Sequence, residues 1–373
     1  MKVTVVGGGV IGLSVAWRCA VRGMDVTVHD PDPGAAAAHV AAGMLAPVTE
    51  LYYGEEPQLA LNLDSARRWP EFAAALGQDA GTDPGYVECG TLAVARDSDD
   101  VAALEELRAY QSELGLHAER LTGRALRRRE PALAPGVRGG LFVAGDHQVH
   151  NRRLLAALRA GARARGARFV ATAVADPSEL AALDADAVVV AAGWRSPRLV
   201  PDLPLRPVKG QILRLGVTPR SVLPSHVLRG QDVYIVPRHG EVVVGATMEE
   251  VGSDTTVTAG AVHELLRAAW ELVPGIAEAE LVECAAGLRP GTPDNAPLIG
   301  AVDDRTVVAT GHYRNGVLLA PVTAEAVAEL LETGAAPDVI APFSPNRFRA
   351  PRATRATRAT RATRATQEVP TCN

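Results

Sequence analysis

The chain of 373 residues is 47% hydrophobic and 22% charged, with a formal net charge of −5; that is enough apolar material for two domains with cores of their own, and it lacks the basic excess that a nucleic-acid surface needs. Cys19, Cys89, Cys284 and Cys372 lie too far apart for a zinc knuckle or a disulfide framework, and the histidines form no HxxxH or HxH pair, so no metal is expected. The first residues form a strand-like run rather than a secretory signal, and the expectation is a cytoplasmic protein with no membrane contact.

In chain order, Val3 to Val6 reads as a parallel strand buried on both faces and leads directly into Gly7-Gly8-Gly9-Val10-Ile11-Gly12. In such a GxGxxG turn, Gly7 permits the tight bend and Gly9 lets a pyrophosphate approach the backbone. Gly12 lets the following helix pack on the strand. That helix is predicted from Val10 to Arg22, with its positive end toward the phosphates, and Gly23 ends it. A second strand, Asp25 to His29, delivers Asp30, where an acid can accept hydrogen bonds from ribose hydroxyls. The unit suits NAD and FAD equally.

Further along, Tyr86 to Val94 and Val233 to Thr247 alternate as strand material. A helix is predicted from about Arg152 to Arg165. The apolar strand Asp186 to Gly193 ends in small residues that would let the backbone pass beside a cofactor. A strand over Thr306–Thr310, a glycine-flanked loop and a helix over Thr323–Leu331 follow. Beyond Asn346 come five copies of Arg-Ala-Thr, from Arg352 to Thr366, which cannot build a core and are expected to be disordered.

The segment Ala41-Ala42-Gly43-Met44-Leu45-Ala46-Pro47 is too apolar for a surface loop and too punctuated for a helix interior. Taken with the N-terminal glycines and the runs Arg206–Gln211, Tyr234–Arg238, Val244–Glu249, Gly287–Thr292 and Gly311–Pro321, it resembles the glycine oxidases of thiamine biosynthesis. These belong to the D-amino acid oxidase group of flavoproteins. The resemblance implies an α/β fold: a Rossmann-type FAD-binding domain in three pieces (1–80, 145–207 and 287–345) and an α+β substrate domain on a mixed β-sheet (81–144 and 208–286). Residues 346–373 fall outside it as a tail. It also implies non-covalent FAD held by Gly7, Gly9, Val10, Ile11, Gly12, Asp30, Pro31, Ala37, Ala38, Ala42, Gly43, Met44, Val174, Gly193 and the loop His312, Tyr313, Arg314, Asn315, Gly316, Val317, Leu318. The implied reactants are a small amino acid and O2, and the implied assembly is a homotetramer.

Oxidation of an amino acid by hydride transfer to a flavin asks mainly for positioning: the carboxylate anchored, the amine neutral and the α-hydrogen aimed. A planar guanidinium suits the anchor, because it pairs with a carboxylate through two parallel bonds. Arg289, expected where a strand gives way to Pro290-Gly291, matches the family arginine that binds the substrate carboxylate; Arg314 and Tyr234 match two further substrate-side residues. The loop around Arg314 is implied to lie against the isoalloxazine, where amides and a helix dipole can stabilise negative charge. Met44 and Met248 are cofactor-wall or pocket candidates, and His312 has no general-base role in this chemistry.

Two departures from the family stand out: alanines at 35–38 where polar residues such as Ser are usual, and His150-Asn151 at a helix entry, with Asn151 expected as its N-cap. The residues leave open a dehydrogenase or demethylase of sarcosine, proline or a D-amino acid, and an FAD-holding protein without turnover. Glycine stands first because the agreement at Ala41–Pro47, Arg206–Gln211 and Gly287–Thr292 is specific.

Overall fold

The computed structural model describes residues 1–32 and 36–348. Gly34 and Ala35 of the alanine-rich stretch, and the Arg-Ala-Thr tail from Arg349 onward, lie outside the described residues.

The first sheet has six strands in the order Leu298–Ala301, Thr306–Thr310, Ala187–Val190, Lys2–Val6, Asp25–His29, Arg168–Val170; all run parallel except Leu298–Ala301. Period-two alternation sends successive side chains into different cores. Val3, Val5 and Val189 join the helices Val10–Val21, Glu56–Ala80, Asn151–Ala164 and Ala320–Thr333, while Val6, Val188 and Val190 pack with Leu180, Leu199 and Leu203 on the other face. On the helical side Trp17 meets Phe72 edge-on with ring centroids 5.1 Å apart, and the Trp17 indole N–H donates to Asp79 at 2.9 Å. Both faces are therefore covered, which is why these strands read as unbroken apolar runs.

The second sheet has eight strands in the order Glu280–Gly291, Arg206–Gly216, Glu241–Gly245, Tyr234–Arg238, Val227–Arg229, Thr91–Ala95, Gly139–Val143, Glu119–Thr122. It is mixed, because Val227–Arg229 runs parallel to Thr91–Ala95 while the other neighbours are antiparallel. One face buries Leu213, Leu228, Ile235, Val242 and Val244 against helix Ala259–Leu272. The other packs Ile212, Val227, Val236 and Val243 onto Val40, Ala42 and Met44. A small antiparallel sheet, Met44–Leu45, His147–Val149, Tyr86–Val87, bridges the two halves.

Several expectations need correction. Tyr86 to Val94 is not one strand. Gly90 breaks it with φ +70, where a Cβ would fall 2.5 Å from the Phe142 ring, and the two pieces join different sheets. Val174, named for its implied contact with FAD, lies just beyond the edge strand Arg168–Val170. The N-cap of helix Asn151–Ala164 is His150, whose Nδ1 accepts from the Arg153 amide at 3.4 Å. Asn151 instead turns its amide onto the carbonyls of Ala38 and His39, at 2.7 and 2.8 Å. Arg289 sits within the strand ladder opposite Val208, not at a turn. Ordered chain also continues past Asn346: Pro345–Phe348 forms a 3-10 turn pinned by the Arg347–Asp294 pair at 2.9 Å. Among the described residues no helix is long and apolar enough to cross a membrane.

Candidate active site

Four loops leave the carboxyl ends of the parallel strands: Gly7–Gly12, Asp30 and beyond, Ala191–Gly193, and Gly311–Leu319. This edge is where open α/β sheets bind their ligands. At the first loop the glycines divide the work. Gly7, with φ +112, leaves no room for a Cβ, which would sit 2.4 Å from the Ala191 carbonyl; one on Gly12 would sit 1.9 Å from the Gly7 carbonyl. A Cβ on Gly9 would meet nothing nearer than the Ala36 Cβ at 3.7 Å, so this side of the turn is open. Helix Val10–Val21 starts there without a side-chain cap, which leaves its first amides for an anion.

Gly8 is also constrained, because a Cβ there would meet Asp30 at 2.2 Å. The Asp30 carboxyl is pushed up by burial and held back by Arg159, 3.3 Å away, and by the amides of Asp32 and Gly8. Pro31 is exposed just beyond. Gly193, with φ +58, accepts from the Thr310 hydroxyl at 3.0 Å, which ties two strand ends together.

The loop after Thr310 is fixed from several sides. Ser65 and Trp69 of the long helix both donate to the Leu318 carbonyl, at 2.6 and 2.9 Å, and the Tyr313 amide donates to Pro290 at 3.1 Å. His312 is buried against the Thr323 hydroxyl at 3.0 Å; burial pushes its imidazole down to about 3, so it is neutral. The Asn315 amide donates to the His312 carbonyl at 2.9 Å, and Gly316, Val317 and Leu318 lead into helix Ala320–Thr333, which has no side-chain cap.

The second sheet lies over this edge. A Cβ on Gly287 would sit 3.2 Å from the Val40 Cβ and 3.6 Å from the Ala37 Cα, so the sheet rests directly on the short helix Ala37–Val40, in which Ala38 is buried. Ala42 and Gly43 follow. Gly43 has φ +80, and a Cβ on it would strike the Val149 carbonyl at 2.0 Å; Met44 pairs with Gln148.

Strand register places Arg229 opposite Tyr234, and Tyr234 opposite Gly245. Alternation then puts Arg229, Tyr234 and Arg289 on the face that looks toward Val40–Met44. Two glycines make space for them. A Cβ on Gly245 would fall 2.5 Å from the Tyr234 oxygen, and one on Gly210 would fall 2.3 Å from an Arg289 nitrogen. The Arg289 guanidinium thus lies flat across Gly210, donating to the carbonyls of Thr247 and Lys209 at 3.2 and 3.3 Å and hydrogen-bonded to Tyr234. Burial raises the Tyr234 hydroxyl and Arg289 only partly offsets this, so the phenol keeps its proton. No carboxylate of the described residues pairs with Arg289.

Arg314 and Arg229 differ. Arg314 pairs with Glu55 at 2.7 Å and lies 3.8 Å over the Tyr52 ring, while Arg229 pairs with Glu50 and donates to the Tyr52 hydroxyl at 2.7 Å. Burial, with Arg314 nearby, pushes Arg229 down to about 10, which leaves it cationic. Tyr313 donates to the Met248 sulfur at 2.8 Å, and Met248 is 62% exposed, at the rim rather than inside a pocket. A cavity of about 460 Å³ lined by Arg96, Asp97, Ala134, Gly136, Val137, Arg267 and Glu271 shares no residue with this constellation. Among the described residues no group of His, Cys, Asp and Glu could hold a metal ion.

Residues 2–330 match the family described as FAD dependent oxidoreductase. The chain belongs to that family. It is 35% identical over 365 residues to a glycine oxidase of Geobacillus kaustophilus, covering 92% of this chain and 96% of the relative, and 34% identical to one of Pseudomonas putida, covering 92% and 98%. The crystal structure of the Geobacillus kaustophilus glycine oxidase superposes with a TM-score of 0.85 at 33% identity, covering 93% of this chain and 99% of that one. A bifunctional ThiO/ThiG protein of Trichormus variabilis is 34% identical over 93% of this chain, and the chain spans 55% of that relative's length. The open Gly9 turn, the uncapped start of helix Val10–Val21 and the Asp30 carboxylate fit the FAD that the family requires: pyrophosphate at the first two, ribose at the last.

Arg229, Glu50, Tyr52 and Glu55 had no place in the sequence reading, and Gly210 and Gly245 lay in its runs Arg206–Gln211 and Val244–Glu249 without a role. Arg229 had a usable signal: it and Tyr234 flank a four-residue connection that opens with Gly230, the pattern of a hairpin that pairs them. The acids had none, because Glu50 and Glu55 meet their arginines only through tertiary contact.

Proposed function

We propose that this protein oxidises glycine, and the smallest related amines such as sarcosine or D-alanine, to the corresponding imine, with O2 as final acceptor reduced to hydrogen peroxide; water then hydrolyses the imine of glycine to glyoxylate and ammonia. Bound FAD would supply the two-electron acceptor for the hydride that leaves the α-carbon. The observation that carries the reading is Arg289: a guanidinium laid over Gly210, joined to Tyr234, without an acidic partner among the described residues, on the sheet face that covers Val40–Met44. A cation so placed takes one carboxylate through two parallel bonds, and the protonated Tyr234 hydroxyl adds a donor beside it. Neutral, buried His312 brings no charge to the loop. Helix Ala320–Thr333 turns the positive end of its dipole toward the loop, although its first amides are taken, Ala320 by the Val317 carbonyl and Val322 by the Ser65 hydroxyl.

Relatives named glycine oxidase and a Rhizobium etli relative named putative thiamine biosynthesis oxidoreductase ThiO, 36% identical over 89% of the chain, support glycine as substrate and the thiazole branch of thiamine biosynthesis as the setting. The test is the visible spectrum of the FAD-loaded protein, followed without oxygen on adding glycine, sarcosine and D-alanine in turn. Bleaching by glycine, with peroxide formed once air is admitted, is the expected result; a flavin that none of the three reduces removes the reading.

A further inference from the structure

The turn between the segment Met44–Leu45 and helix Glu56–Ala80 presents Glu50, Tyr52 and Glu55 to two arginines from different parts of the fold. Arg229 stands on the sheet and pairs with Glu50; Arg314 stands on the loop after Thr310 and pairs with Glu55 at 2.7 Å. Tyr52 joins them, its hydroxyl accepting from Arg229 at 2.7 Å and its ring under the Arg314 guanidinium at 3.8 Å. Asn295 also donates to Glu55, at 3.3 Å, which fixes the end of the turn. Arg229 is the direct cross-strand neighbour of Tyr234, and Tyr234 is bonded to Arg289. The three guanidiniums are therefore linked through two tyrosines, Arg314 and Arg229 meeting at Tyr52 and Arg229 and Arg289 at Tyr234. Two are neutralised by acids from a single turn, and the third is not.

A partly buried guanidinium attracts whatever carboxylate can reach it, because the low dielectric screens it poorly. Without the turn's acids the pocket would carry three positive charges and favour a ligand with more than one carboxylate. Arg314 keeps unused capacity even now, since its Nε is buried with no acceptor among the described residues. We propose that the turn Glu50–Glu55 is the charge selector of the substrate pocket: it neutralises Arg229 and Arg314, leaves Arg289 alone to bind carboxylate, and so admits amino monocarboxylates over dicarboxylates.

This rests on the reading of the pocket as a carboxylate site, and its test is made by binding so that it does not depend on turnover. Acetate and malonate are titrated calorimetrically into the FAD-loaded full chain. In Glu55→Gln the affinity for malonate relative to acetate rises about tenfold, the worth of one charge-assisted hydrogen bond, and adding Arg314→Gln to that variant cancels the rise. Glu50→Gln, acting through Arg229, gives the same sign and serves if the first variant is poorly folded. An unchanged ratio in both single variants, a rise that survives loss of Arg314, or a wild-type protein that binds neither anion overturns the proposal. Inertness to glycine with the expected ratios would instead remove glycine as substrate and leave the selector in place.

Discussion

One face of the eight-stranded sheet carries arginines at both ends, and the two ends use them differently. Toward Ala38–Ala42, Arg214 pairs with Glu241 at 2.7 Å and donates to Asn151 at 3.2 Å, while Arg238 donates to the Ala42 carbonyl at 2.6 Å and pairs with Glu241 at 3.3 Å. Both are nearly inaccessible and both have acids. Toward Tyr234, Arg289 has carbonyls and a phenol but no acid. An arginine-rich surface alone thus says little about function; the informative residue is the one whose charge the protein leaves unmatched.

Breaking the matched end has the largest effect on stability. Arg214→Met removes a buried guanidinium and its bonds to Glu241 and Asn151, while Glu241 keeps Arg238 and Glu283 keeps Arg152; the expected cost is about 1–3 kcal/mol of stability, read as a fall in the denaturant midpoint. Among the molecules that stay folded, the glycine KM is unchanged. Breaking the unmatched end has the opposite profile. Arg289→Ala strands no acid, so the midpoint moves little and FAD stays bound. The glycine kcat/KM falls by roughly 2–5 kcal/mol of lost carboxylate binding, mostly through KM. Comparable stability losses in the two variants would erase the distinction between the ends.

The same contrast explains what could be read from the sequence. The cofactor side is written largely in local spacing: Gly7, Gly9 and Gly12 stand where the turn needs them, Gly12 answers the Gly7 carbonyl, and Asp30 follows at the spacing the motif demands, even though the Ala191 carbonyl that also excludes a side chain at Gly7 comes from a distant strand. The substrate side is written across strands. Arg289 and Tyr234 were reachable through family likeness, yet their setting depends on Gly210 and Gly245, whose missing side chains matter only once the register is known. Asn151 was misplaced for a related reason: which residue caps its helix was decided by the carbonyls of Ala38 and His39, more than a hundred residues away in sequence.

A smaller effect sharpens the comparison, because the two ends also differ in what can titrate. Burial pushes Arg238 at the Ala42 end down only to about 10, so it stays cationic from pH 4 to pH 7. The base of the Glu50–Glu55 turn is held by the buried Asp146, whose carboxylate accepts from the Thr49 hydroxyl at 2.6 Å and from the Thr49 and Val48 amides at 2.7 and 3.3 Å. Burial outweighs these bonds and pushes the acid up to about 6 from 3.8. The folded protein then holds this proton more tightly than the unfolded chain. The stability it contributes is complete below the unfolded pKa and is lost as the pH rises through about 6. Asp146→Asn has no proton to lose, so its unfolding free energy relative to wild type is expected to climb between pH 4 and pH 7, by up to about 3 kcal/mol. Denaturant unfolding of both proteins across that range measures the difference. A constant difference would mean that the carboxyl ionises normally and that the hydrogen bonds from Thr49 and Val48 outweigh its burial.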